Sequence, residues 1–205
     1  MKKEKLSKAE VERKFQLGYK LAFETKGRKN WRNIFLLWLD AATTGHIRAQ
    51  FYLGTCYDNG YGVKKNLKLA FNWYLKAAEA GHRDAQYNTG FFYTTNELGR
   101  KNNKKKVYWY TKAANAGLID AQRDLGYSYF YGEGIEKDKK KAVFWYKKAA
   151  KKNDKKAFYN LGLCYKHGDG VNKSFRWAKY YFFRASNLGH LSSKKELNLL
   201  KNKFI

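Results

Sequence analysis

The chain has 205 residues, of which 44% are apolar and 29% are charged. That length and apolar content suit one ordinary domain or one short repeat array, and they exclude an intrinsically disordered chain. Lys and Arg outnumber Asp and Glu by 43 to 17. Such an excess of positive charge indicates either a simply solvated, lysine-rich surface or an acidic partner.

The beginning of the sequence and its few cysteines predict a cytoplasmic protein, unless a leader peptide has been removed. Basic residues at positions 2, 3 and 5 are not followed by the apolar segment of a secretory signal. The longest apolar run, residues 34–39, is far shorter than the roughly 20 residues of a membrane-spanning helix. With two cysteines, the chain does not have the composition of a disulfide-stabilised secreted domain.

Capping residues and glycines mark where helices begin and end. The chain contains 17 glycines and no proline, so glycine must end most of the helices. Ser7-x-x-Glu10 is a capping box, which predicts that the first helix begins at Ser7. The same pattern in Ser193-x-x-Glu196 predicts a terminal helix that begins at Ser193 and runs towards Phe204.

Between these two helices the sequence repeats every 36 residues. In the second repeat, Ala49, Leu53 and Cys56 share one helical face, and Ala70 and Tyr74 share a face of the following helix. A Gly-x-Gly segment separates the two predicted helices, because glycine accepts the positive φ that ends the first of them. The glycines that keep the period without insertion or deletion are Gly18, Gly54, Gly90, Gly126 and Gly162.

This periodicity predicts an all-α solenoid in which helix pairs stack and share one core. We expect a single domain over residues 1–192 and a C-terminal capping helix at 193–205. The first repeat is degenerate, as end repeats often are, and the third has Asn96-Glu-Leu98 in place of Gly-x-Gly. The five predicted helix-pair repeats are residues 13–48, 49–84, 85–120, 121–156 and 157–192.

Two segments of the second repeat resemble the Sel1-like repeat, a family related to the tetratricopeptide repeat. They are AQFYLGTCYDNGYGV at residues 49–63 and AFNWYLKAAEAG at residues 70–81. The resemblance covers residues 13–192 and is strongest in the second, fourth and fifth repeats. It implies a right-handed α/α superhelix whose concave surface serves mostly as an adaptor in protein complexes. In bacteria it also implies roles in signalling, host interaction or toxin neutralisation.

No residue pattern in the sequence predicts an enzyme, a cofactor or a metal site. Cys56 and Cys164 occupy the same repeat position three repeats apart, too far for a disulfide, so we expect both thiols to be reduced, buried and inert. His46, His82 and His190 each follow the glycine between repeats, so they are copies of one structural position and cannot converge on a metal. Neither a phosphate-binding loop nor a nucleophile–base pair is present in the sequence.

The remaining candidate is the face of each first helix that points away from the core, three, six and ten residues after its leading alanine. We predict that these side chains line a groove in which Asn and Asp bind the backbone of an extended peptide and aromatic rings supply contact area. The other interpretation is that the rings pack against the next repeat. The predicted groove residues are Tyr19, Tyr52, Asn59, Asn88, Phe91, Asp124, Tyr127, Tyr131, Asn160 and His167, with Gln16, Phe23, Thr55, Thr95 and Leu163 beside them.

Lysines fall outside this face, in loops and on second helices, which places them on a rim or an outer surface. The leading hypothesis is therefore a non-enzymatic adaptor or inhibitor, for instance a toxin-neutralising immunity protein, that binds an acidic protein partner. The alternative is sequence-independent binding of nucleic acid or an anionic surface, although aromatic residues interleaved with Lys or Arg are not evident on one face. The predicted rim residues are Arg100, Lys101, Lys104, Lys105, Lys106, Lys139, Lys140 and Lys141.

Overall fold

The computed structural model describes residues 6–201, and every regular element in that span is helical, which confirms the all-α class. A π-helical turn, Lys20–Glu24, continues the first helix. The helices are α1 (Lys8–Tyr19), α2 (Trp31–Thr43), α3 (Ile47–Asn59), α4 (Leu67–Glu79), α5 (Arg83–Phe92), α6 (Asn103–Asn115), α7 (Ile119–Tyr131), α8 (Lys139–Ala150), α9 (Lys155–His167), α10 (Phe175–Asn187) and α11 (Leu191–Lys201).

The described residues form two compact halves, residues 6–101 and residues 102–201, called here the N-terminal and the C-terminal half. In the N-terminal half, each helix from α1 to α5 packs on the next in the chain. In the C-terminal half, the helices from α6 to α11 do the same. Packing between consecutive helices is what a repeat of helix pairs requires, because neither helix can bury its apolar face alone.

In the first, second, fourth and fifth repeats, the periodic glycine of the first helix is there because an aromatic ring of the second helix packs closely against it. A Cβ added to Gly54 would lie 2.7 Å from the ring of Tyr74, and one added to Gly126 would lie 2.7 Å from that of Tyr146. Any side chain at these positions would displace the ring, so the glycine and the aromatic residue are required together.

The second glycine of each Gly-x-Gly loop is required by a close approach to the preceding repeat. Gly62 has a φ of +69°, and a Cβ there would lie 2.1 Å from the carbonyl oxygen of Trp31. Gly134 has a φ of +76°, and a Cβ there would lie 2.2 Å from the carbonyl oxygen of Asn103. Both the conformation and the contact therefore exclude other residues.

The third repeat departs from this geometry. Leu98 stands at the position of Gly62 and Gly134, where a side chain cannot fit against the neighbouring backbone. Its first helix, α5, has 10 residues instead of the 13 of α3 and α7, and it ends at Phe92. The junction between the two halves follows this irregular loop.

The two predicted capping boxes have different outcomes. At Ser7 the box is confirmed: the Glu10 amide donates to Ser7 Oγ at 3.3 Å, and the Ser7 amide donates to Glu10 Oε2 at 2.8 Å. The prediction at Ser193 is wrong, because α11 already begins at Leu191. Ser193 is buried within that helix, and its Oγ lies 3.0 Å from Nδ1 of His190, which precedes the helix. Phe204 lies outside the described residues.

Candidate partner-binding site

At the start of the chain, the predicted groove side chains pack on one another. The Tyr52 ring is stacked on that of Trp38 with centroids 4.8 Å apart, and it lies 5.9 Å from Tyr19 and 5.5 Å from Phe23. Burial raises the pKa of the Tyr52 hydroxyl. Tyr19 and Tyr52 therefore contribute mainly to the aromatic core of the N-terminal half.

The other groove positions of this half are partly occupied by local hydrogen bonds. Asn59 is exposed, but its Nδ2 donates to the carbonyl oxygen of Thr55 at 3.0 Å. Asn88 is half-buried and hydrogen-bonds the hydroxyl of Tyr74. Phe91, by contrast, is 54% exposed, so its ring remains available for contact.

In the C-terminal half, the structure brings three predicted groove residues together at one small cavity. Tyr127 and Tyr131, one turn apart on α7, have ring centroids 4.4 Å apart and are 45% and 57% exposed. With Asn160 and Leu163 of α9 they line a cavity of about 80 Å³. We call these four residues the tyrosine pocket. His167, also predicted in the groove, is exposed at the end of α9 but does not line this cavity.

The dimensions of the tyrosine pocket suit part of a protein side chain. Sites for small molecules and cofactors typically measure roughly 300–1,000 Å³, several times the volume of about 80 Å³ found here. Two exposed tyrosine rings supply rigid contact area with little loss of conformational entropy, and the Asn160 amide can both donate and accept a hydrogen bond. This combination is typical of a contact surface for another protein.

Asp124, predicted to bind a peptide, is instead held in a cluster of charges around Arg123. Arg123 Nε donates to Asp124 Oδ1 at 2.9 Å, and Nη1 donates to Asp154 Oδ2 at 3.0 Å and Asp120 Oδ1 at 2.7 Å. Burial by itself lowers the pKa of Arg123, but the carboxylates of Asp124 and Asp154 outweigh burial and raise it. The charge of Asp124 is thus already compensated within the protein.

Arg123 was missed by the sequence reasoning, although the repeat contains a signal for it. The equivalent position holds an aromatic residue in the other repeats. In the first and second repeats that ring stacks on the histidine before the next first helix: Phe51 on His82 with centroids 4.5 Å apart, and Phe15 on His46 at 4.4 Å. In the fourth repeat both partners change together, so that Arg123 meets Asp154. A paired change at two fixed repeat positions could have revealed the contact.

His46, His82 and Asp154 share a structural role as helix N-caps. Nδ1 of His46 accepts from the Ala49 amide at 3.0 Å, and that of His82 accepts from the Ala85 amide at 3.3 Å. Asp154 Oδ1 accepts from the Ala157 amide at 2.6 Å. The prediction that the histidines occupy one structural position is confirmed for His46 and His82, and the position satisfies an otherwise unpaired amide.

The predicted basic rim is exposed in part only. Lys106 is a correction: its side chain is 6% exposed and its Nζ pairs with Glu133 Oε2 at 2.8 Å, so it does not belong to the rim. The same core position holds alanine or isoleucine in the other repeats, and a lysine there must bury its charge and find a partner.

The other rim residues differ in their contacts. Lys139 is half-buried and pairs with Asp169 at 2.6 Å, and Lys141 lies 3.5 Å from Asp138. Arg100 is half-buried, with its guanidinium 4.6 Å from the centre of the Phe71 ring. The exposed members of the predicted rim are Lys101, Lys104, Lys105, Lys140 and Lys141.

The cysteines have the environment that their repeat position predicts. Cys56 and Cys164 are buried free thiols, and burial raises the pKa of each to about 12. Neither forms the thiolate that a nucleophile or metal ligand needs near neutral pH. Within residues 6–201, no group of three His, Cys, Asp or Glu side chains is arranged to hold a metal ion. In the same span, no helix is both long and apolar enough to cross a bilayer.

Comparison with known proteins assigns this helical architecture to a family. Residues 47–82, 83–118, 119–154 and 156–190 match the family described as Sel1 repeat. The chain belongs to the Sel1 repeat family. The family is a helical scaffold fold for protein–protein interaction, and it is generally non-enzymatic. The first predicted repeat, residues 13–48, lies almost wholly outside the matched segments.

Two solved Sel1 structures resemble the chain over nearly its full length. A protective antigen of uropathogenic Escherichia coli with an SLR fold is 34% identical, covers 94% of this chain and has a TM-score of 0.84. This chain spans 42% of that protein. A Sel1 repeat protein of Oxalobacter formigenes is 32% identical over 91% of this chain and 74% of its own length, with a TM-score of 0.82.

A more distant structure shares the fold alone. It is an immunity protein of Pseudomonas aeruginosa, 23% identical over 92% of this chain and 69% of its own length, with a TM-score of 0.53. A comparison with curated proteins gave no sequence match.

Proposed function

We propose that this Sel1 repeat protein is a non-enzymatic adaptor or inhibitor that binds a protein partner through the tyrosine pocket. The observation that carries the proposal is the exposed pair Tyr127 and Tyr131, whose rings lie 4.4 Å apart beside the cavity that Asn160 lines. Tyrosine is enriched among the few interface residues that contribute most of the binding free energy between proteins.

The rings do not serve the core of the protein. Tyr127 and Tyr131 are 45% and 57% exposed, whereas Tyr146, whose ring packs against Gly126 in the core, is 2% exposed. Water contact with so much aromatic surface is unfavourable, and a partner that covers it would recover that free energy.

The proposed partner is acidic. The formal charge of +26 accelerates encounter with acidic proteins and disfavours basic ones. The exposed rim lysines 101, 104, 105, 140 and 141 contribute to this field. We therefore expect the association rate to fall as salt rises, while the dissociation rate depends mainly on the tyrosine pocket.

Within this function, we favour an inhibitor that neutralises a toxin. Two solved structures of the same fold, both from Pseudomonas aeruginosa and 23% and 22% identical to this chain, are named as immunity proteins. That likeness concerns the fold alone, so the role of this chain has to be tested by the experiment below.

Capture from the source cell with the wild-type protein, followed by mass spectrometry, would identify the partner. The amount of that partner captured is then compared between the wild-type protein and two variants. Tyr127→Ala/Tyr131→Ala should weaken capture about thirtyfold, because hot-spot residues contribute roughly 2 kcal/mol or more. Asn160→Ala should weaken it less, since one hydrogen bond is worth about 1 kcal/mol.

Leu36→Ala is the matched control, because Leu36 is also an exposed apolar residue, at 43%, but lies on the second helix α2. It should leave capture unchanged. Capture by the folded Tyr127→Ala/Tyr131→Ala variant at wild-type strength would reject the tyrosine pocket. Folding of each variant is checked by far-ultraviolet circular dichroism.

A further inference from the structure

Three exposed aromatic residues repeat on the second helices of the C-terminal half. Tyr108 on α6 is 53% exposed, Phe144 on α8 is 52% exposed and Tyr180 on α10 is 42% exposed. They are spaced 36 residues apart, so each occupies the same position in its repeat. Their exposure means that the repeat core does not require them.

Each ring carries a cation from the next turn of its own helix. Lys112 Nζ lies 4.8 Å from the centre of the Tyr108 ring, and Lys148 Nζ lies 4.8 Å from that of Phe144. The guanidinium of Arg184 lies 5.9 Å from the centre of the Tyr180 ring. We call these three pairs the aromatic–cation ladder. The sequences of α6, α8 and α10 contain no Asp or Glu, so no carboxylate on these helices offsets the ladder's charge.

At its C-terminal end the ladder borders a cavity of about 520 Å³ that is lined by residues of α8, α9 and α10. Lys147, Lys151 and Arg184 supply three positive charges to its lining, and Trp177 and Tyr180 supply aromatic walls. The lining includes no acidic residue. A volume of this size suits a nucleotide-sized ligand, and the charges suit a phosphate.

The arginine in this cavity is held in place before any ligand arrives. Arg184 Nη1 donates to the Tyr180 hydroxyl at 2.9 Å, Nη2 donates to Asn153 Oδ1 at 3.1 Å, and the guanidinium lies 4.8 Å from the centre of the Phe158 ring. Asn153 has a φ of +60° and stands where other repeats have glycine. Asparagine is the residue that best replaces glycine in this conformation, and here its side chain also orients the cation.

We infer that the aromatic–cation ladder and its cavity bind single-stranded nucleic acid, with phosphates on the cations and bases stacked on the rings. Non-specific single-strand binders combine these two elements: a positive track for the backbone and aromatic platforms for the bases. The expectation that aromatic residues and cations do not share one face is thus corrected by the structure. The sequence reasoning missed it because it examined lysine runs rather than one repeat position.

Single-stranded nucleic acid fits these features better than an anionic membrane does. Lys112 Nζ and Lys148 Nζ each lie 4.8 Å from the centre of an exposed ring, so a ring that entered a bilayer would have to take its cation along or lose it. A flat lipid surface also cannot enter a cavity between helices, whereas a flexible strand can place one nucleotide there.

The experiment measures fluorescence anisotropy with labelled oligo(dT) and oligo(rU) of about twelve nucleotides, close to the site size of single-strand binders. Inorganic polyphosphate, which has the charge but no bases, is the competitor that isolates the role of the rings. We expect log affinity to fall linearly with log salt, with a slope of about −0.7 for each phosphate contacted. Tyr108→Ala/Phe144→Ala should weaken oligonucleotide binding about tenfold or more while leaving polyphosphate binding unchanged, because neither ring hydrogen-bonds Arg184.

The N-terminal half provides matched controls, because Leu36 and Lys76 stand at the ladder positions of the first and second repeats. Leu36→Ala and Lys76→Ala should leave oligonucleotide binding unchanged, and Arg184→Ala should weaken it. Tyr127→Ala/Tyr131→Ala should also leave it unchanged, which separates this inference from the proposed function. Three results would overturn the inference. The first is an equal loss of oligonucleotide and polyphosphate affinity in the ring variant, and the second is no oligonucleotide binding at about 50 mM salt. The third is binding to phosphatidylserine vesicles that oligonucleotides do not displace.

Discussion

The two halves of the protein use the same fold and place different side chains on it. At the ladder position the N-terminal half has Leu36 and Asn72, whereas the C-terminal half has Tyr108, Phe144 and Tyr180. The C-terminal half also holds 23 Lys and Arg against 8 Asp and Glu, compared with 16 against 8 in the N-terminal half. Positions that the fold does not determine thus differ most between the halves.

The first-helix face shows the same contrast. Tyr52 packs against Trp38 in the N-terminal half, but Tyr127 and Tyr131 are 45% and 57% exposed in the C-terminal half. Tyr52 thus stabilises the core, whereas Tyr127 and Tyr131, like Phe91 of the N-terminal half, remain available for contact. This comparison teaches that the buried positions of the repeat report packing, while its exposed positions are free to differ between the halves.

The largest predicted effect tests whether both halves depend on the same loop. Gly62→Ala and Gly134→Ala should each lower the free energy of unfolding by about 4 kcal/mol, because both force a Cβ against a backbone carbonyl at positive φ. Urea denaturation followed by circular dichroism measures this difference. Equal losses would show that the loop has one role in both halves.

Glycines without a neighbouring atom are the control for that measurement. Gly81 and Gly117 also have positive φ, but a Cβ at either would meet nothing within 4 Å. Their replacement by alanine should cost only the conformational strain, about 1 kcal/mol. If Gly134→Ala costs no more than Gly117→Ala, the close approach to Asn103 is not a constraint.

An intermediate effect concerns the ion pair between Glu133 and the buried Lys106, which belongs to the C-terminal half. Glu133→Ala should destabilise the protein by about 3 kcal/mol, because it leaves the buried ammonium of Lys106 without its carboxylate. Adding Lys106→Met should recover most of that loss, since the other repeats have apolar residues at this position. Thermal or chemical unfolding of the two single variants and the double variant gives the coupling energy; a coupling near zero would contradict the ion pair.

The smallest predicted effect distinguishes the halves by pH. Burial, above all, lowers the pKa of His82 below its ordinary value of 6.5, so the folded state favours the neutral ring. The stability that neutral His82 contributes to the folded protein is therefore complete above pH 6.5. It is lost as the pH falls from there through the lower pKa of the folded state. Protonation at Nδ1 also removes the acceptor for the Ala85 amide, and the loss of a cap costs about 1 kcal/mol.

Amide hydrogen exchange between pH 7 and pH 5 measures this local loss, once corrected for intrinsic exchange rates. Protection at the start of α5 should fall, while α9, capped by the carboxylate of Asp154, serves as the internal reference. His82→Asn should abolish the pH dependence, because asparagine caps α4 and α6 in this protein. Parallel loss of protection in both helices would show that the histidine cap is not responsible.

The sequence was sufficient to predict the fold because the fold depends on periodic positions. The glycines and alanines recur without interruption, and their period gives the helix pairs and the buried cysteines. The site could be predicted only in part. Tyr127, Tyr131 and Asn160 were found from the helical face, but the Arg123 cluster, the burial of Lys106 and the role of Asn153 depend on contacts between repeats. Such contacts are long-range, so a pattern along one helix does not reveal them.

The position of the two cysteines allows each half to be observed separately. Cys56 belongs to α3 and Cys164 to α9, and each is at most 1% exposed. A thiol reagent can reach either sulfur only when the surrounding helices open. The rates at which the two thiols are modified in the native protein therefore report, from a single unlabelled molecule, how often each half opens on its own.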